Sequence, residues 1–422
     1  MPRAAPDTQP NPCLLAGDSA RPRAGPDLTL ALDAPIDPTH APIPANHAEA
    51  LVFRQLYETL VFVDCEGAIR PGLARSWSTA GDRRVWEFEL RETRFWDGRP
   101  VTAQHVADSW SATQGAARLG VAPESVTVLD HRRLRVATDR PAAAPYLFAE
   151  PAVAVAASPP DGEVWPVGSG PFHPAGTRDA TSPLEFVAAG NAGLTVRTIH
   201  PTTARDALDG DVDLLITDDP DAVGYAKGRA DLAAVALPWD RTYVLVSASG
   251  VPIVTAGDAA ALRESLARDA VRADAQGAAP PFWWDRLPRG CLEVKQAELL
   301  GAGGRILHQQ GDGTARGLAA RIVALALLER GLRVEALAGP AFRAALRTGG
   351  DHYVLSVSRR VFDGCAAARR LVADAPWIAA SLADGSARAL TPLIDVRRHV
   401  LGTLPAGAVI DWDGTIRFAV DR

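Results

Sequence analysis

Between residues 28 and 110 the apolar positions change period repeatedly, and each change predicts an element. Leu28-Thr29-Leu30-Ala31-Leu32 alternates, the period of a strand. Leu51, Phe53, Leu56 and Tyr57 recur at helical spacing, and Leu60 to Val63 is a short apolar run that reads as a strand. Glu66-Gly67 and Gly81-Asp82 are turns, and Arg70-Pro71-Gly72 stops any helix before Leu73-Ala74. Val85 to Leu90 puts Trp86, Phe88 and Leu90 on one side of a half-buried strand. Phe95-Trp96 runs into Asp97-Gly98, a tight turn in which glycine takes a positive φ. Thr102 then caps a helix that carries His105, Val106, Ser109 and Trp110.

Further on, Val126 to Leu129 and Leu134 to Val136 form a hairpin around Asp130-His131. In Pro166 to Phe172 the glycines Gly168 and Gly170 let the backbone turn sharply. Arg205, Ala207 and Leu208 lie on a short helix ended by Asp209-Gly210, and Val212 to Ile216 is a buried strand. Tyr243 to Val246 is a strand, and Ala260 to Ala273 and Leu292 to Gly301 are helices. Arg305 to His308 reads as a strand, followed by a helix capped by Thr314 with an apolar stripe of Leu318, Ile322, Leu325 and Leu328. Gly331 closes that helix, and Leu332 to Ala336 is the next strand; this strand–helix–strand unit implies a parallel sheet. Ala341 to Thr348 is a helix and Tyr353 to Ser358 a strand. Residues from Leu390 to a last strand near Ile416 to Val420 return to the first lobe.

A chain of 422 residues is too long for one compact core, so two or three lobes are expected. A net charge of -6 argues against nucleic acid as a partner. Cys13, Cys65, Cys291 and Cys365 are far apart and form no CxxC, which favours buried thiols over a metal ribbon, with a disulfide left open. The most apolar run, Ala142 to Ala157, carries Glu150 and prolines and is no membrane span. There is no H-E-x-x-H, nucleophile elbow or evident carboxylate pair, so no catalysis is expected. Asp209, Asp211 and Asp213 alternate as in a calcium loop, but Leu214 stands where the turn glycine belongs and no glutamate closes it.

Four pieces stand in a telling order: Tyr57-Glu58-Thr59-Leu60-Val61, Pro71-Gly72-Leu73-Ala74-Arg75-Ser76-Trp77, Trp86 to Arg91, and Phe95 to Val106. Their order resembles the signature of the family 5 extracellular solute-binding proteins, the peptide- and nickel-binding components of ABC importers. Gly168-Ser169-Gly170-Pro171-Phe172 is similar to the family's "GTGPY" element, and Ile36-Asp37-Pro38 to its "LDP" loop. The signature marks the fold, with Trp77 and Trp86 read as core, and does not itself mark the binding site. Pro280-Pro281-Phe282-Trp283-Trp284 lies in a region shorter than in typical relatives, where two exposed-looking tryptophans cap the lobe or face the cleft.

The resemblance implies an α/β chain with the two-lobed, type II periplasmic-binding-protein fold: mixed sheets flanked by helices, a hinged cleft, and a shortened last lobe. The division it suggests is a disordered segment 1–27; a lobe I core of 28–48, 165–245 and 390–422; an accessory subdomain 49–164; and lobe II at 246–389. It implies a small solute, peptide first, captured in the cleft and delivered to ABC permease subunits. No cofactor, metal or nucleic acid is involved, and the chain is a monomer. By motif position the ligand contacts are Ile36, Trp239, Tyr243, Gln309, Phe342, Arg360 and Asp363. Asp363 ends the family's "W-x-x-D" segment, and in peptide-binding relatives that aspartate pairs with the ligand's amino group. Arg359 and Arg360 are carboxylate candidates, of which one faces the cleft if the strand alternates. The family is extracytoplasmic, yet residues 1–27 lack the apolar stretch of a signal peptide. A non-exported binding or sensor module of the same fold is therefore the alternative reading.

Overall fold

The computed structural model describes residues 12–15, 27–113, 116, 121, 125–141, 144–175, 183–188, 193–199, 203–210, 212–248, 282–288, 290–292, 304–326, 331–361, 363–383, 389–405 and 407–418. The helices expected at Ala260 to Ala273 and Leu292 to Gly301 lie outside these residues. So do the side chains of Leu325 and Leu328. The chain divides into two compact units, Met1–Leu237 with His399–Arg422, and Pro238–Arg398.

The first unit is built on a seven-stranded sheet. Its order is Ala233–Ala236, His399–Gly402, Leu214–Thr217, Leu28–Leu32, Gly193–Thr198, Leu184–Ala188 and Phe172–Pro174. Leu28–Leu32 runs parallel to both of its neighbours. Leu30, Leu32, Leu194 and Leu214 are fully buried in one cluster, as a strand covered on both faces requires. A four-stranded antiparallel sheet, Ala74–Thr79, Val85–Leu90, Arg133–Ala137 and Val126–Val128, carries most of the family signature. Trp86, Phe88 and Leu90 share its buried face, whereas Trp77 is only half-buried. Gly98 has the positive φ its turn demands, at 86°.

The helix His47–Leu56 organises this unit. Asn46 caps it by accepting the Glu49 N–H. Glu49 is itself buried, and its carboxylate accepts the Asp37 and Ala45 N–H groups and meets the His40 ring at 2.9 Å. The "LDP" loop is thereby tied to the helix. At the other end Gln55 donates to the Ile416 carbonyl at 2.7 Å and accepts the Phe418 N–H, so the C-terminal segment is fixed to the same helix.

Gly168 and Gly170 serve a purpose other than the sharp turn expected of them. Neither is among the residues with positive φ. A Cβ on Gly168 would lie 2.0 Å from the Leu56 carbonyl oxygen, and one on Gly170 2.3 Å from that of Gln55. These glycines let the segment run against the carbonyl end of the helix, where the Gly170 N–H donates to Leu56.

The cysteines are also corrected. Cys13 and Cys65 form a disulfide, and so do Cys291 and Cys365. The pairing was hidden from sequence because the partners lie 52 and 74 residues apart and tertiary register brings them together. Residues 13–15, inside the segment expected to be disordered, are held by that bond and by pairing with Ala408 to Ile410. Leu15 is buried in the core.

Asp411 is fully buried beside two guanidinium groups, Arg417 at 2.9 Å and Arg54 at 3.5 Å. Burial pushes its carboxyl up to about 6, and the two arginines oppose that rise. A group raised on folding favours the fold when protonated, so its stabilisation is complete below about pH 4 and is lost as pH rises through 6. The size is about 3 kcal/mol for a shift of roughly two units. Urea unfolding at pH 4 and pH 7 should therefore show a larger loss for the native protein than for Asp411→Asn, by about that amount. Equal losses would contradict this account of Asp411.

The second unit has one five-stranded sheet in the order Arg333–Leu337, Arg305–Gln309, His352–Ser358, Arg241–Val246 and Leu390–Val396. The sequence division puts Arg241 to Leu245 and Leu390–Val396 in the first lobe. Here they pair with each other, and Arg241–Val246 also pairs with His352–Ser358, which draws the unit boundary outward to Pro238 and Arg398. The helix Gly313–Ala326 packs Leu318 and Ile322 onto the sheet. Asp312, rather than Thr314, caps it, accepting the Ala315 N–H at 2.8 Å. Trp284 is buried at 2% exposure and Trp283 is half-buried, so this pair closes the core of the unit.

Candidate functional site

Strand direction gathers chemistry at one edge of the second unit's sheet. Arg305–Gln309, Arg333–Leu337 and His352–Ser358 are parallel and end there. Arg241–Val246 begins there, because Arg241 lies opposite Ser358, and Leu390–Val396 ends there, because Val396 lies opposite Arg241. Loops beyond the carboxyl ends of parallel strands are where α/β folds place ligands. Of the seven residues expected from motif position, Trp239, Tyr243, Gln309, Arg360 and Asp363 lie at or beside this edge, and a sixth, Phe342, lies in the same unit a turn into the helix Gly339–Thr348. Ile36 belongs to the first unit, half-buried against that unit's core.

Each of the six sits differently. Gln309 and Asp363 are exposed, and Arg360 is partly exposed. Asp363 also caps the helix Gly364–Asp374 by accepting the Cys365 N–H at 2.8 Å. Trp239 is half-buried, with the Arg397 guanidinium 4.3 Å from its ring centre. Tyr243 is 3% exposed; its ring is core and its hydroxyl lies 3.1 Å from both Asp312 carboxylate oxygens, which braces the helix start. Phe342 packs edge-on against Tyr353 inside the core.

Between these residues lies a set of charges of which motif reasoning named only Arg359 and Arg360. Asp240 faces Arg398 at 2.7 Å and Arg241 at 3.4 Å. Asp395 accepts the Thr242 hydroxyl and stands 3.5 Å from Arg359. Arg359 is the buried member of the Arg359-Arg360 pair, its guanidinium 4.1 Å over the Phe282 ring. Burial pulls the Arg359 guanidinium below the usual arginine range, and Asp395 and Asp285 oppose this. It stays charged, since arginine holds its proton in proteins. Arg241, Arg359, Arg397 and Arg398 stand at this edge together with Asp240, Asp285, Asp312 and Asp395, so guanidinium and carboxylate groups are interleaved there. The available signal was Arg397-Arg398 directly after an apolar strand, at the place where the chain leaves one unit for the other.

The acidic alternation at Asp209 to Asp213 is structural in its described members. Asp209 accepts from the Tyr225 hydroxyl and Arg229, and Asp213 accepts the Thr29 N–H at 2.7 Å.

The mixed sheets and flanking helices are those of the fold that solved periplasmic binding proteins share. A dipeptide-binding protein from a Pseudoalteromonas species, solved with Met-Leu, superposes with a TM-score of 0.69 at 13% identity, covering 92% of this chain and 98% of that one. The periplasmic binding protein DppA of Helicobacter pylori, solved with the peptide STSA, gives 0.67 at 15% identity over 93% and 98%. Residues 68–230 match the family model "Bacterial extracellular solute-binding proteins, family 5 Middle". The periplasmic murein peptide-binding protein MppA of Escherichia coli (strain K12) is 42% identical over 78 residues, which is 18% of this chain and 14% of that protein. The stretches matched in the curated relatives thus span a small part of their lengths. The match to the family 5 extracellular solute-binding proteins thus covers the middle of the chain, less than half of its length. No helix among the described residues is long and apolar enough to cross a membrane.

Proposed function

We propose that this chain is the solute-binding component of an ABC importer, taking a short peptide and passing it to a permease partner without chemistry. The observation that carries this reading is the sheet edge of the second unit, where exposed Asp363 shares the strand ends with several guanidinium groups. A zwitterion fits such an edge, its ammonium toward Asp363 and its carboxylate toward the arginines. Trp239, Gln309 and Arg360 are the further contacts we assign to this ligand, with Tyr243 and Phe342 supporting them from the core. The peptides named with the relatives favour the same class. Two disulfides favour an extracytoplasmic place of work, since such bonds persist in oxidising compartments.

Native mass spectrometry of the purified protein, followed by calorimetry with di- to tetrapeptides, tests the proposal. We expect a co-purifying or titratable peptide at one-to-one stoichiometry. Asp363→Asn keeps a good helix cap and removes the charge. It should weaken peptide binding by about 2 kcal/mol, roughly thirtyfold, with the melting temperature unchanged. Absence of any bound or titratable peptide would remove the reading. Unaltered affinity in Asp363→Asn would remove only this residue's role.

A further inference from the structure

The first unit holds a cavity of about 470 Å³ that none of the ligand candidates above line. Arg54, Arg91 and Arg417 line it together with Glu58, and Phe62 and Phe418 form much of its apolar wall. Each guanidinium is held in place from behind. Arg91 makes two bonds to the Glu58 carboxylate, at 2.6 and 2.8 Å, and one to the Gly72 carbonyl. Glu58 is steadied in turn by the Ser169 hydroxyl. Arg417 lies 3.9 Å over the Phe62 ring and gives its Nε to Asp411. Its two terminal nitrogens make no hydrogen bond among the described residues. Arg54 is nearly buried, between Asp411 and the Thr59 hydroxyl.

Arg54, Arg91 and Arg417 thus line the cavity with Glu58 as the one carboxylate among its described lining residues, while Asp411 meets Arg54 and Arg417 from behind. The terminal fork of Arg417 matches a carboxylate, and the volume lies in the range of small-molecule sites rather than of a simple ion. We infer that this cavity is a second ligand site, which binds a small organic carboxylate with a flat apolar body. Its anion meets the Arg417 and Arg91 guanidiniums and its body rests on the Phe418 side.

The probe is 4-iodobenzoate, with uncharged 4-iodobenzamide as its isostere. Calorimetry should give one-to-one binding of the carboxylate with a Kd below about 1 mM and at least tenfold weaker binding of the amide. Arg417→Gln should weaken the carboxylate at least tenfold. Anomalous diffraction from soaked crystals should place iodine inside the cavity. No binding at about 10 mM, equal binding of the amide, or iodine only elsewhere on the molecule would overturn the inference. Should Arg417→Gln fail to fold, the comparison of the two probes and the iodine position, both on the unaltered protein, still decide it.

Discussion

Gly168→Ala should destabilise the first unit by about 4 kcal/mol, the far end of what one methyl group can do. The added carbon would sit 2.0 Å from the Leu56 carbonyl oxygen, 2.7 Å from the Trp96 ring and 2.9 Å from that of Tyr57. The carbonyl belongs to the last turn of a helix whose other face is buried, and Trp96 donates its ring N–H to the Gly170 carbonyl at 3.2 Å. Neither neighbour can withdraw without undoing its own packing. Gly98→Ala is the control: its φ is positive but nothing lies within 4 Å, so it should lose only about 1–2 kcal/mol for the left-handed backbone. Urea unfolding followed by tryptophan fluorescence separates the two. A Gly168→Ala protein as stable as the control would mean that the segment shifts freely, and the close approach would not matter.

Removing the Cys13–Cys65 bond by paired serine substitution is expected to cost a similar amount, about 4 kcal/mol. The bond closes a loop of 52 residues, and the entropy it removes from the unfolded chain gives that figure. The loss should appear as a lower urea midpoint for the first unit, and reducing agent on the native protein should reproduce it. Coincident unfolding curves with and without reductant would rule the bond out as a source of stability. The Cys291–Cys365 bond closes a longer loop of 74 residues in the other unit, and its removal should be read there.

Local grammar made much of the architecture readable. Alternation at Val85 to Leu90 fixed that strand's faces, because a period of two allows one buried side. The parallel pairing of Arg305–Gln309 with Arg333–Leu337 followed from a strand–helix–strand unit. What stayed hidden depends on register between distant segments. The disulfides are of this kind, as are the glycines pressed against the helix end. The pairing of Arg241–Val246 with Leu390–Val396 is another case, spanning well over a hundred residues. Motif position and strand direction place most of the candidate ligand residues near one sheet edge, and the calorimetry proposed above tests whether a ligand meets them there. The individual roles were not legible. Arg359 and Arg360 look alike in sequence, and only the stacking on Phe282 tells which is buried. The aspartates beside them were invisible because each is defined by its arginine partner.

The seven-stranded sheet takes its second strand, His399–Gly402, from beyond the entire second unit. On a ribosome, Leu214–Thr217 and Ala233–Ala236 emerge long before the strand that must lie between them. Until residues 399–402 appear, both present unpaired backbone along one side, the surface on which growing chains stick to each other. A holding chaperone that recognises extended apolar backbone would find its target there. A premature stop after the second unit would leave that gap permanently unfilled.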